Sequence, residues 1–278
     1  MDAPPPPFRD VKASGIRLRV TDIGEGPTLL LLHTSLLDRT CWNQTLELFS
    51  DFRVVAPDLP GFGESEKPPL GRFAYTVSAF AHAVTDLFAG LDLGQACVVG
   101  HGLGGAIAIS IASRSPELVS RLSLVDSLCY PTRLDASRRV ALFPLVGGFW
   151  FKQLWSKTMF RAYCREVLTG PRQPLATSRV DHYYDVFNTP SARNSALATF
   201  RATRDTRSVV ADIARVTAPT LVVWGRDDAI YPAALGQRLS RDLRSAGFQL
   251  LDSGHTPCEE HPEALARVLR KFCLAQRP

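Results

Sequence analysis

The stretch Gly100-His101-Gly102-Leu103-Gly104-Gly105 closes the apolar run from Ala96 to Gly100 and opens a second, helix-like apolar run. Strand, tight turn and helix are the setting of a nucleophile elbow, G-x-S-x-G, in which flanking glycines let the turn close and lift the central side chain into a site. Here the central residue is Gly102, which offers no oxygen or sulfur for a base to activate. Further on, Gly225-Arg226-Asp227-Asp228 ends another apolar run and Gly254-His255 follows the last one, giving the order elbow, acid, histidine. A carboxylate beside an imidazole fixes its tautomer and makes it a general base. Acid and base are in place, and the nucleophile is missing.

Positioning these residues requires strands that end at a common edge. Candidate strands are Ile16 to Asp22, Thr28 to Leu32, Phe52 to Ala56, Ala96 to Gly100, Leu122 to Val125, Thr220 to Trp224 and Phe248 to Leu251. Most are continuous apolar runs, as a parallel sheet covered on both faces demands. Helical patterns at Thr76 to Gly90, Gly104 to Ser115, Pro232 to Ser245 and Pro262 to Ala275 lie between them, so strand and helix alternate as in a doubly wound α/β fold. Such folds bind ligands at the carboxyl ends of the strands. The alternation breaks between Cys129 and Asp212, where helix-like segments follow one another without a convincing strand. The chain therefore divides into a flexible proline-rich leader (1–9), a core (10–128 and 214–278) and a helical insertion, read as a lid, at 129–213.

In this order and setting the chain resembles the α/β-hydrolase superfamily, most of all its epoxide-hydrolase, haloperoxidase and carbon-carbon-bond hydrolase group. The matching motifs are Leu32-His33 after the third strand, Pro57 to Ser65 after the fourth, the elbow at 100–105, Gly225 to Asp228 and Gly254-His255. The resemblance implies an α/β-hydrolase fold, a mostly parallel sheet flanked by helices with a helical lid after strand 6. It assigns Asp228 as acid, Gly102 as a vacant nucleophile position and His255 as base, with the G-x-x-D spacing favouring Asp228 over Asp227. It places the backbone N–H groups of Leu103 and Ser35 at an oxyanion hole. Two positions depart from the family: Gly102 stands for Ser, Cys or Asp, and Thr34 stands where the motif usually reads His-Gly. Thr34 and Ser35 carry hydroxyls close to where an oxyanion would sit, although Ser35 lies off the strained elbow.

Other candidates have plainer readings. His101 adjoins the vacancy, but relatives turn this histidine away from substrate. His33 belongs to the turn that supports the oxyanion loop and is carried as a pocket candidate. Asp126 matches an alternative acid location, although a strand-end carboxylate capping a turn is the simpler role. Within Ala141 to Phe160, Phe149, Trp150 and Trp155 are candidates for an apolar pocket. A helical core, or a basic amphipathic face set by Lys152 and Lys157, would explain the same pattern.

Three functions follow. The first is non-covalent general-base chemistry by His255 and Asp228 on a mainly apolar small molecule, such as an ester, an epoxide or a C–C bond, without a cofactor. The second is a catalytically silent, ligand-binding member of the fold, and the third a serine hydrolase whose nucleophile was replaced by Gly102.

Composition excludes other classes. The 278 residues are 45% hydrophobic and 21% charged, enough for a core without staples. The six cysteines are scattered without zinc-ligand spacing and read as reduced packing residues. No metal site, phosphate loop or dinucleotide fingerprint is expected; Gly100-x-Gly102-x-x-Gly105 is better explained by the elbow. The net charge of +5 is dispersed and carries no nucleic-acid-binding motif. Residues 129–213 hold 13 Lys/Arg against 6 Asp/Glu, which allows for an anionic group on the substrate. No apolar run has the length of a membrane span and the first residues lack the pattern of a secretory signal, so a cytoplasmic location is the expectation.

Overall fold

The computed structural model describes residues 6–132, 155–170 and 174–275. Eight strands form one sheet: β1 (Phe8–Ala13), β2 (Ile16–Ile23), β3 (Thr28–Leu32), β4 (Arg53–Pro57), β5 (Ala96–His101), β6 (Val119–Val125), β7 (Thr220–Gly225) and β8 (Ala246–Leu251). Their order is β1-β2-β4-β3-β5-β6-β7-β8. The β1–β2 and β2–β4 pairs are antiparallel, and every later pair is parallel. Leu29 to Leu32, Val98, Val99, Leu122 and Leu124 are wholly buried, so the continuous apolar runs do mark strands covered on both faces.

The expected strands and helices are present with shifted ends. Helices α2 (Val77–Gly90) and α3 (Leu103–Arg114) follow α1 (Asn43–Leu46), a single turn. Between β6 and β7 the described residues are helical: α4 (Lys157–Tyr163) running into a π-helical turn at Cys164–Leu168, then α5 (Thr177–Phe187), α6 (Pro190–Ala202) and α7 (Arg207–Ile213). The chain ends with α8 (Ala233–Asp242), α9 (Pro257–Glu260) and α10 (Pro262–Cys273). No described helix is long and apolar enough to cross a membrane.

Two expectations are corrected. Phe8 and Arg9, placed in the flexible leader, begin β1, which pairs along its whole length with β2. An exposed edge strand buries too little side chain to announce itself by apolar pattern, and Ala13 is its one buried residue. Nor are all six cysteines reduced: Cys97 at the start of β5 and Cys273 at the end of α10 form a disulfide across 176 residues.

The topology defines the site. From β3 the chain steps outward to β4 and then returns past β3 to β5, so the strand order reverses between β3 and β5. Loops diverge there and leave a crevice at the carboxyl edge. Leu32 pairs with Gly100 across this seam. Two residues further along each chain lie Thr34 and Gly102.

Candidate active site

Gly102 links β5 to α3 with φ +52° and ψ −110°, the strained turn of an elbow. A side-chain-bearing residue there costs about 1–3 kcal/mol, and glycine relaxes it. Its carbonyl accepts hydrogen bonds from the Leu128 and Gly105 amides, so the turn is held from both sides. Leu103 is the first residue of α3, and its N–H is one of the donors that a helix N-terminus leaves without an acceptor inside the helix.

Asp228 and His255, the expected acid and base, lie side by side. Nδ1 of His255 lies 2.9 Å from Oδ2 of Asp228, and both side chains are buried. Oδ1 of Asp228 accepts from the Ile230 and Tyr231 amides at 2.7 and 2.9 Å. Burial alone would raise this carboxyl, but the charge of His255 and these hydrogen bonds hold it below its ordinary value. With Nδ1 donating to Asp228, Nε2 is left as the basic nitrogen. Tyr231 packs edge-on against the His255 ring at 5.3 Å.

Position 34 has the larger consequence. A Cβ built on Gly102 would overlap the Thr34 hydroxyl oxygen and lie 2.7 Å from Thr34 Cβ and 3.4 Å from Nε2 of His255. The Leu103 N–H donates to the same hydroxyl oxygen at 3.4 Å. Thr34 thus fills the space that a side chain at 102 would need, and it faces one of the two expected oxyanion donors.

Two further histidines near the site, His33 and His101, make structural contacts. Nδ1 of His33 donates to the Thr34 carbonyl at 2.7 Å and Nε2 accepts from the Leu59 amide at 2.9 Å. Burial lowers its pKa to about 4, so the ring is neutral and pins the Thr34 turn. It is not part of the cavity wall, which corrects its place among the pocket candidates. Nε2 of His101 donates to the His255 carbonyl at 2.6 Å, and His101 is not among the described residues that line the cavity.

Two further buried carboxyls, Asp126 and Glu260, stand behind the pair. Asp126 Oδ1 accepts from the Gly225 amide at 2.7 Å, and burial followed by the charge of Asp228 drives its carboxyl well above the ordinary range. Asp126, Asp228 and His255 place ligand-type atoms within 4.8 Å of one another. The His255 nitrogen in this group is already engaged by Asp228, which suits a hydrogen-bonded pair rather than a cation site. Glu260 is buried, and its Oε2 accepts from the Gly170 and Gly254 amides while Oε1 accepts from the Thr256 amide and hydroxyl. Together with the His255 N–H bond to the Leu168 carbonyl, it ties the histidine loop to the helical segment. A glutamate five residues past the histidine carries no motif; only three-dimensional proximity identifies it.

A cavity of about 430 Å³ lies between the carboxyl edge of the sheet and the helical segment. Thr34, Ser35, Leu128, Ile230 and Tyr231 line it on one side, and Trp155, Met159, Tyr163, Leu168 and Phe200 on the other. Trp155 is thus where the aromatic pattern placed it; Phe149 and Trp150 lie outside the described residues. Glu166 is the one charged residue in this wall, so no described cation awaits an anionic group there. Several basic residues of the segment are already paired, Lys157 and Arg161 with Asp181 and Arg179 with Glu259.

A strand-end histidine held by a strand-end aspartate, beside a glycine-rich turn into a helix and below an apolar cavity, is the arrangement of an α/β hydrolase. The chain belongs to the alpha/beta hydrolase family, whose model matches residues 29–268. It is 31% identical over 277 residues to a 2-hydroxymuconate semialdehyde hydrolase of Pseudomonas sp. (strain CF600), covering 95% of this chain and 93% of that protein. An uncharacterized protein of Mycobacterium tuberculosis (strain ATCC 25618 / H37Rv) is 28% identical, covering 100% of this chain and 84% of its own. A serine hydrolase involved in carbazole degradation shares the fold, with a TM-score of 0.81 at 22% identity over 95% of this chain and 97% of that one.

Proposed function

We propose that this α/β hydrolase cleaves an ester or a comparable carbonyl-activated bond of a mainly apolar small molecule, with His255 as general base and Asp228 as its partner. The observation that carries the reading is the buried 2.9 Å Asp228–His255 pair beneath an apolar cavity. Relatives named as hydrolases of 2-hydroxymuconate semialdehyde, 30–31% identical, favour a carbonyl substrate and extend the choice to C–C bonds. Epoxide hydrolase 4 of mouse, 29% identical over 82% of this chain, is a more distant guide. The cavity supports an apolar substrate over an anionic one. The helical segment serves as the lid, since it supplies half of the cavity wall.

With glycine at 102 the proton that His255 removes comes from elsewhere. Water or the substrate itself would give a non-covalent course, with the Leu103 and Ser35 amides receiving the oxyanion. The overlap at position 34 argues against a serine hydrolase altered at one residue, because a serine restored at 102 would collide with Thr34.

The test is turnover of p-nitrophenyl esters of graded acyl length and of 2-hydroxymuconate semialdehyde by the wild-type chain and by His255→Ala. Hydrolysis that falls by about 10² to 10⁴-fold in the variant is expected for a lost general base. Equal rates in both would overturn the reading. Thermal stabilisation by an apolar ligand without product would favour the silent, ligand-binding alternative.

A further inference from the structure

The hydroxyl that the elbow lacks has been supplied from the neighbouring loop: we propose that Thr34 Oγ1 is the nucleophile of this hydrolase. The inference rests on the general-base reading of His255 and deepens it by naming the group that His255 deprotonates.

Three observations carry it. First, position. A Cβ on Gly102 would overlap Thr34 Oγ1 and lie 3.4 Å from Nε2 of His255, so the Thr34 hydroxyl occupies the space beside the base that an elbow side chain would take. Second, hydrogen bonding. The hydroxyl oxygen accepts from the Leu103 N–H, while no described group accepts its proton. Third, access. Thr34 lines the cavity, whereas neither Gly102 nor His255 does. The β3–β5 register explains how this happens, since pairing of Leu32 with Gly100 brings residues 34 and 102 level at the reversal of strand order. Threonine at 34 and glycine at 102 are therefore read together: the hydroxyl enters from the β3 end the space that a side chain at 102 would need.

The chemistry balances. The Thr34 O–H bond breaks and its proton passes to Nε2 of His255, while Oγ1 forms a bond to the ester carbonyl carbon and the π pair moves onto oxygen. As that pair returns, the bond to the alcohol oxygen breaks, and the alcohol leaves with the proton from Nε2. A water molecule then gives its proton to Nε2 and its oxygen to the acyl carbon. Thr34 departs and recovers a proton, and the carboxylic acid is released.

The experiment treats the full chain with a fluorophosphonate probe, maps the adduct by peptide mass spectrometry, and measures p-nitrophenyl ester turnover in Thr34→Val, Thr34→Ser and His255→Ala, with melting curves to confirm folding. Valine keeps the shape and deletes the oxygen. An adduct on Thr34 is expected. Thr34→Val should lose it together with at least about 10²-fold in turnover, and Thr34→Ser should keep both. An adduct on Ser35 or elsewhere, or turnover that persists in folded Thr34→Val but still needs His255, would overturn the proposal and leave the non-covalent course standing. No turnover in any form would overturn both.

Discussion

The two halves of the active centre have been treated differently. The half built after β7 and β8 keeps its residues: Asp228 is held by two backbone amides, His255 by Asp228, and the histidine loop by Glu260. In the half built after β3 and β5, Gly102 carries no side chain and Thr34 stands opposite, its hydroxyl in the space a Cβ at 102 would take. The first half depends on interactions within the loops of neighbouring strands, whereas the second depends on two strand ends sharing one volume. A position in the second half cannot be interpreted without its partner.

Loss of His255 should separate the halves most sharply, with His255→Ala abolishing turnover by about 10² to 10⁴-fold while the fold remains. A variant with unchanged rates would show that the kept half is a relic. The next effect falls on stability. Glu260→Ala leaves the Gly170, Gly254 and Thr256 amides without their acceptor, and a loss of about 2–4 kcal/mol is expected from urea denaturation. A loss below about 0.5 kcal/mol would mean that the histidine loop is held by other contacts.

Much of this was legible in the sequence, and the reasons divide along the same line. Asp228 and His255 follow the apolar ends of two strands and sit at recognisable spacings from Gly225 and Gly254, so local pattern pointed to them. The space left without a side chain at Gly102 was equally plain. That Thr34 fills it was not, because the overlap arises from the register of two strands some seventy residues apart. Glu260 and the Cys97–Cys273 bond are also products of long-range packing. The edge strand β1 was overlooked for a different reason, its exposure.

The smallest expected effect concerns Asp126. Its carboxyl is raised well above normal by burial and by Asp228, so the folded state binds a proton that the unfolded state releases above its ordinary value near 3.8. Stability from this group therefore falls as pH rises from that value toward the folded one. Asp126→Asn removes the dependence: the variant should match wild type within about 1 kcal/mol in acid and gain on it as pH increases. Chemical denaturation across pH would measure this, and a variant that loses ground in alkali would show that Asp126 is charged in the folded protein.

The central claim is that residues 34 and 102 share a single space, and a double-mutant cycle tests it most directly. Gly102→Ser, Thr34→Gly and their combination are compared by denaturation midpoint and by ester turnover. The account predicts that Gly102→Ser alone is destabilised by about 1–3 kcal/mol through strain and collision, and that adding Thr34→Gly recovers part of that loss and yields an active serine. If Gly102→Ser alone is as stable and as active as the double variant, the two positions are independent and the claim is wrong.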